Sequence, residues 1–473
     1  MSGWQTLTRR RLLGATGAGT VAALAGCTGG NGNGDGRSDA AVHVFTDYNN
    51  EPWQDRWEEV IQPEYEETTG LELDIEYAGF QGDSEQRLST LIQSGDPPDL
   101  HVETFYATAE IWANGMLEPV TGIVDQIESV AGPLQSNNFV DEQGLHSQGD
   151  QFLVPHGMYT NLLIYREDIY DALGLEVPET WDELVANAQA IDEADIGDGD
   201  SPDVRGFATP GAQVGQSREL FWVFLYTNGV YPFEEVDGEI EVRLPEAETV
   251  EAMETIKELS QYSPDPSSLN WGESLTQWTQ GRIGQMYHVN PWAAGVAADA
   301  GVDVIAENTG IAPMPRNGIP PEESYQPGPT LNGWMVFSDG DNSEGGRELI
   351  EWMYGEETER TVRNYTAEPM RMLPAYGDVV NHEAYESMDI FQEYPGLLDL
   401  NQQVLDDIVP EHFGRNDDDI PDDGVTNYAI SGYYFSDMMN EILVADRDIQ
   451  AAYEDIVEAA EERLEEGKDI VHG

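Results

Sequence analysis

The spacing of apolar and polar positions changes several times along the chain, and each change predicts an element. Residues 41–45 are a short apolar run ending in a polar loop, 46–52. Trp53, Trp57, Ile61 and Tyr65 then recur at helical spacing until Gly70 stops them. Leu71, Leu73, Ile75 and Tyr77 alternate, as in a strand with one buried face. Ser84 opens a helix carrying Leu88, Leu91 and Ile92 that closes at Gly95. A Pro-rich turn, 96–99, leads into another strand and a helix over 109–114. Strand alternating with helix predicts an α/β, doubly wound arrangement.

A second α/β set begins near residue 152. Residues 159–165 read as a strand. Thr180 and Glu183 form a capping box for a helix with Leu184, Ala188 and Ile191 on its buried face. Residues 207–210 read as a strand, 220–226 as an apolar helix, 242–244 as a hairpin edge, and 253–262 and 274–281 as helices. Residues 284–295 are an apolar strand, a turn fixed by Pro291, and small residues that open a helix, with Trp292 at the turn. Residues 305–314 read as extended, 330–337 as a strand, 347–354 as a helix, and 446–465 as a long amphipathic helix.

Composition adds an environment. The 473 residues hold 91 Asp and Glu against 21 Lys and Arg, a net charge of -70, with Lys257 and Lys468 the only lysines. Such a chain repels nucleic-acid phosphates and anionic headgroups. Hydrophobic residues still make up 40%, so the acidity coats folded cores rather than marking a disordered tail. A carboxylate surface suits very high salt, where screening removes self-repulsion. In this respect the sequence resembles haloarchaeal proteins.

The N-terminus reads as an export address over residues 1–27. Arg9, Arg10 and Arg11 precede a short stretch of small and apolar residues, then Leu24-Ala25-Gly26-Cys27. The apolar stretch is too short to span a bilayer. Arg9 and Arg10 resemble a twin-arginine signal, and Leu24 to Cys27 a lipobox, with Cys27 as the lipid attachment site and membrane contact through that anchor. Cys27 is the only cysteine, which excludes an intramolecular disulfide. Residues 28–40, rich in Gly and Asn, read as a flexible linker.

No HExxH, Walker loop or GxSxG elbow is present, and no cofactor is expected. Asp195, Asp198, Asp200 and Asp203 have the composition of a cation loop, but EF-hand spacing is missing and a solvated acidic loop is the plainer reading. Asn364-Tyr365-Thr366 is a glycosylation sequon. The positive signal is aromatic. Tyr48, Tyr159, Trp292 and Trp334 lie at strand-to-loop junctions, with Asp47, Asn49, Glu103 and Asn290 near them. A sugar has an apolar C–H face for a ring and hydroxyls for such polar groups. Each residue alone reads as well as core edge or wet surface; their convergence favours a ligand.

Several segments then resemble extracellular solute-binding protein family 1, the sugar-binding component of ABC importers. They are Asp96-Pro97-Pro98-Asp99-Leu100 with Gly115-Met116-Leu117-Glu118-Pro119; Phe152-Leu153-Val154-Pro155 through Asp168; Val177-Pro178-Glu179-Thr180-Trp181-Asp182-Glu183-Leu184; and the stretch ending at Trp292. The resemblance implies a two-lobed, type II periplasmic-binding-protein-like fold with crossing hinge strands. Lobe 1 would hold 41–151 and about 334–380, and lobe 2 would hold 152–333 and about 381–473. It implies a monomer that passes its solute to ABC permease subunits, Trp292 as a stacking aromatic, and Arg371 as a site arginine. Where the family carries Gly-Pro-Trp, this chain has Asn290-Pro291-Trp292. A polyamine is the alternative solute, since carboxylates and aromatics also suit a cation. A secreted carbohydrate-active enzyme is a third reading, and it requires paired cleft carboxylates with separated pKa values.

Overall fold

A computed structural model describes residues 40–79, 82–104, 108, 111–134, 146–147, 150–194, 196, 203–324, 330–405 and 424–472. Strands β1 (Val42–Thr46), β2 (Leu73–Tyr77) and β3 (Leu100–Thr104) come first along the chain. Short β4 (His146–Ser147) and β5 (Asp150–Gln151) pair with each other. Then come β6 (Val154–Tyr159), β7 (Asn161–Arg166), the hairpin β8 (Phe233–Val236) and β9 (Glu239–Val242), β10 (Gln285–Val289), β11 (Thr309–Pro313), β12 (Thr330–Val336) and β13 (Leu373–Pro374).

The strands build two main sheets. One has six strands in the order β13-β6-β12-β3-β1-β2, and the other three in the order β10-β7-β11. Only β2-β1-β3 is parallel; β12 and β13 run antiparallel to their neighbours, and so do β10 and β11 against β7. The doubly wound pattern expected throughout therefore holds in the first half of the large sheet. Elsewhere the pairing is antiparallel. The chain crosses directly at Thr160, where β6 of one sheet becomes β7 of the other. It crosses back between β11 and β12.

Register places one set of strand ends at these crossings. Thr330 pairs with Tyr159 and Asn332 with Thr104, so the C-terminal ends of β1, β3 and β6 share an edge with the start of β12. Val289 pairs with Asn161 and Pro313 with Leu162, so β10 and β11 end beside the start of β7. The two sheets thus face each other through strand ends, a two-lobed α/β, periplasmic-binding-protein-like fold of type II.

Helices follow the predicted spacing closely. Helix α1 (Glu51–Asp55) starts with Asn50 capping Trp53, and α2 (Trp181–Glu193) starts with the complete Thr180–Glu183 capping box. Helix α3 (Gly215–Tyr226) buries Leu220 to Leu225, α4 (Trp292–Asp299) follows Pro291, and α5 (Ile449–His472) is the long terminal helix. The last begins three residues later than its spacing suggested, because Asp446 takes a left-handed turn (φ 53°). Residues 207–210 make only one bridge, Ala208 with Met286, and Arg205 just before them bridges Ile283. Residues 305–314 open with the end of a helical turn, Asp303–Ala306, before β11. Ser84 lies inside Gly82–Ser94 rather than at its cap.

Candidate functional site

Three tryptophan and tyrosine rings and one arginine meet where the two sheets face each other. Arg371 is 4% exposed. Its guanidinium lies 5.0 Å from the Tyr48 ring centroid and 4.7 Å from that of Trp292. Tyr48 follows β1 in one lobe, and Trp292 follows β10 in the other. Arg371 therefore bridges the aromatics of both sides. Its Nη1 donates to Glu368 Oε2 at 3.0 Å, and Trp53 Nε1 donates to the same oxygen at 2.6 Å. Trp53 also stacks on Tyr48 with centroids 4.8 Å apart.

Electrostatics at this point are tightly balanced. Asp47 is 7% exposed, and with Glu368 it sets two carboxylates against one guanidinium. Burial pushes the Tyr159 phenol up to about 12, against the pull of Arg371, with which it shares a hydrogen bond. Burial also holds Tyr48 well above the ordinary phenol range. Burial opposes the charge on Arg371, but Tyr159, Glu368, Tyr48 and Asp47 outweigh it and raise its pKa. The guanidinium is thus a fixed cation. A recess of 430 Å³ is lined by Arg56, Asp299, Thr366, Pro369, Ser387 and Asp389 among others.

Asp47, Tyr48, Tyr159, Trp292 and Arg371 come together as the sequence suggested. The other residues differ. Asn290 is adjacent but fully buried, and backbone groups use its side chain: Oδ1 accepts from Thr160 N at 2.8 Å, while Nδ2 donates to Met158 O at 2.7 Å and Arg371 O at 2.8 Å. Its side-chain oxygen and nitrogen are thus engaged with the backbone at Thr160, Met158 and Arg371. Trp334 is 0% exposed; it packs edge-on to Trp57 and donates to the Tyr354 hydroxyl at 2.9 Å. It is core, because β12 is an inner strand of the large sheet. Asn49 is exposed, and its carbonyl accepts from Gln54. Glu103 lies on β3 opposite Gly333, with its side chain outside the described residues.

Cys27, the segments 1–27 and 28–39, Asp195, Asp198 and Asp200 also lie outside the described residues; Asp203 is exposed. Among the described residues no cluster of three or more His, Cys, Asp or Glu is arranged to hold a metal, and no helix is long and apolar enough to cross a membrane. The sequon residue Asn364 is 2% exposed, and its Nδ2 donates to the Met353 carbonyl, so the amide is buried in the fold.

Sequence reasoning missed Trp53 and Glu368. The helical spacing puts Trp53 on a buried helix face, and the first turn of α1 brings it against Tyr48, after β1, and Glu368. Glu368 precedes Arg371 by three residues, the i,i+3 spacing of its ion pair, which was the available signal. A second polar group in the other lobe was also missed. Tyr287 Oη lies 2.5 Å from Asn161 Oδ1 and 3.3 Å from Glu219 Oε2. A hydroxyl has one proton, and the shorter contact takes it. The longer contact then favours a protonated Glu219. Burial pushes this carboxyl up to about 7, against Arg218 and Tyr287. Trp271 and His288 connect Tyr287 to Trp292 through ring contacts of 5.9, 5.0 and 5.5 Å.

Solved structures share this architecture. An ABC transporter solute-binding protein from Thermotoga lettingae TMO, bound with alpha-D-tagatose, superposes with TM-score 0.68 at 18% identity over 90% of this chain and 100% of that one. A ribitol complex from Agrobacterium radiobacter K84 gives 0.67 at 18% identity over 90% and 98%. A maltose-bound protein of T. maritima gives 0.67 at 17% identity over 89% and 99%. No curated protein matches the sequence. The model of the bacterial extracellular solute-binding protein family matches residues 50–360. Members of that family bind a small polar solute and pass it to an ABC permease, with no bond chemistry. An aromatic, hydrogen-bonding site between two lobes is what such capture requires, and the chain belongs to the bacterial extracellular solute-binding protein family.

Proposed function

We propose that the protein captures a sugar or oligosaccharide outside the cell, held to the membrane by a lipid on Cys27, and delivers it to an ABC permease in a high-salt medium. Lobe 1 would comprise the described residues up to Tyr159 together with β12 and β13. Lobe 2 would run from Asn161 to β11 and take helix α5, whose Tyr453 donates to the Leu244 carbonyl at 3.0 Å. The solute lies between them, against the exposed part of Trp292, with Asp47, Tyr159 and Glu368 as hydrogen-bonding partners. Tagatose, ribitol and maltose in the related structures are all polyhydroxylated, which supports this class.

One observation carries the choice of a neutral polyol over a polyamine. The guanidinium of Arg371 already lies over both Tyr48 and Trp292. A ring with a cation on one face is a poor platform for a second cation on the other, because both draw on the same quadrupole. A sugar's C–H face carries no such penalty. The test is a thermal-shift screen in molar salt with tagatose, ribitol, maltose, maltopentaose and spermidine. A binding sugar raises the melting temperature by mass action, and spermidine leaves it unchanged. Stabilisation by spermidine alone would reverse the assignment.

A further inference from the structure

Three non-glycine residues among those described have positive φ: Asp237, Asn290 and Asp446. Asp237 and Asp446 are exposed turn residues, the ordinary setting for this conformation. Asn290 is fully buried with φ 49°. Glycine would take that conformation without a Cβ penalty. An asparagine here must therefore be judged by what its side chain does.

The side chain holds three chain segments at once. Its Oδ1 accepts from Thr160 N, the residue at which β6 passes into β7. Its Nδ2 donates to Met158 O at the end of β6 and to Arg371 O, in the segment just before β13. The Asn290 backbone N–H adds a bond to Thr160 O at 2.9 Å. Carbonyls can receive only the amide nitrogen and an N–H only the amide oxygen, so these partners fix the amide orientation. The same turn carries Trp292 two residues on. Helix α4 then meets the Arg371 segment so closely that a Cβ on Gly295 would lie 2.6 Å from Met370 Cβ. Trp292 and Arg371, the two cleft groups in contact at 4.7 Å, are thus both referred to one buried amide.

We infer that Asn290 is the positioning residue of the interlobe hinge: its amide staples the first crossing strand and the Arg371 segment to β10, and lobe opening turns about it. All of its partners lie on the crossings or beside them, so the lobes can separate elsewhere while these bonds persist. The inference rests on the two-lobed binding reading, and its experiment uses no sugar, so failure of the hinge assignment is distinguishable from failure of the sugar assignment.

The experiment is a spin-label distance measurement on the full chain with Cys27→Ser. Labels go on Asp74→Cys in β2 and Glu254→Cys in the helix Glu246–Leu259, both exposed and one in each lobe. The parent gives a narrow interlobe distance distribution. Asn290→Gly keeps the backbone conformation and removes the staple, so the distribution broadens by about twofold and gains longer distances. Asn290→Asp keeps the acceptor for Thr160 but loses both donors, and it broadens the distribution as well; it supplies the reading where the glycine variant does not fold. Asn364→Ala removes another buried amide, within lobe 1 alone, and controls for general loss of stability. It lowers the melting temperature and leaves the distribution unchanged. A parent-like distribution in an Asn290 variant, or equal broadening in Asn364→Ala, overturns the inference.

Discussion

Trp292 and Trp334 look alike in sequence, each a tryptophan at the junction of a strand and a turn, yet they occupy opposite kinds of environment. Trp334 sits on β12 between β3 and β6, fully buried, with its indole N–H satisfied by Tyr354. Trp292 sits after β10 where the strand ends at the crossing, partly exposed, with the Arg371 guanidinium against its ring. Position in the sheet accounts for the difference. A residue within an inner strand has neighbours on both sides, whereas one just past a strand end meets whatever the opposite lobe presents. The ring that fills a core should control stability, and the ring at the lobe junction should control binding.

The sharpest break of this comparison is Trp334→Ala. It empties a site in the core and leaves the Tyr354 hydroxyl without its indole donor, so a loss of roughly 3–5 kcal/mol is expected. Urea unfolding in molar salt measures it. A loss no larger than that of Trp292→Ala in the same buffer would remove the distinction between the two rings.

A second effect, smaller, separates the two neighbourhoods by pH. Around Trp334, burial pulls His156 down to about 3 and pushes Tyr354 up, so neither titrates near neutrality. In the other lobe, linked to Trp292 through Tyr287, Trp271 and His288, the Glu219 carboxyl is raised to about 7 from an ordinary 4.5. Between those values the native state holds a proton that the unfolded state has released. The stabilising contribution is therefore complete below about 4.5 and is lost as pH rises through about 7. The span corresponds to at most about 3 kcal/mol. Glu219→Gln should flatten this slope, as read from melting temperatures at about pH 5 and about pH 8. An unchanged slope in the variant would assign the titration to another group.

The contrast also explains what could be read from the chain beforehand. Periodicity and capping located α2, β10 and the start of α4 because those signals are local: the Thr180–Glu183 box, the apolar run before Asn290, the fixed φ of Pro291. That Tyr48, Tyr159, Trp292 and Arg371 lie close together was legible because strand ends and family-like segments marked them. Trp334 was misassigned because sheet order is not local; nothing near residue 334 says that β6 and β3 flank it. Asn290 was assigned to the solute for the same reason. Its partners Thr160 and Arg371 lie 130 and 81 residues away. Glu368 and Trp53 were overlooked because they meet across 315 residues, beside Arg371.

The smallest effect, and the most specific, is Trp292→Ala. The ring is partly exposed, so its removal costs the fold little beyond the Arg371 contact, about 0.5–2 kcal/mol. A sugar would lose its stacking surface, and affinity should fall at least about tenfold, or about 1.4 kcal/mol. Calorimetry with whichever sugar stabilises the parent measures this directly. Trp292→Phe, which keeps a smaller flat ring, should recover part of the affinity. Equal affinity in parent and alanine variant would leave Trp292 as a packing partner of Arg371 and His288, and the solute would then have to be bound by the other cleft residues.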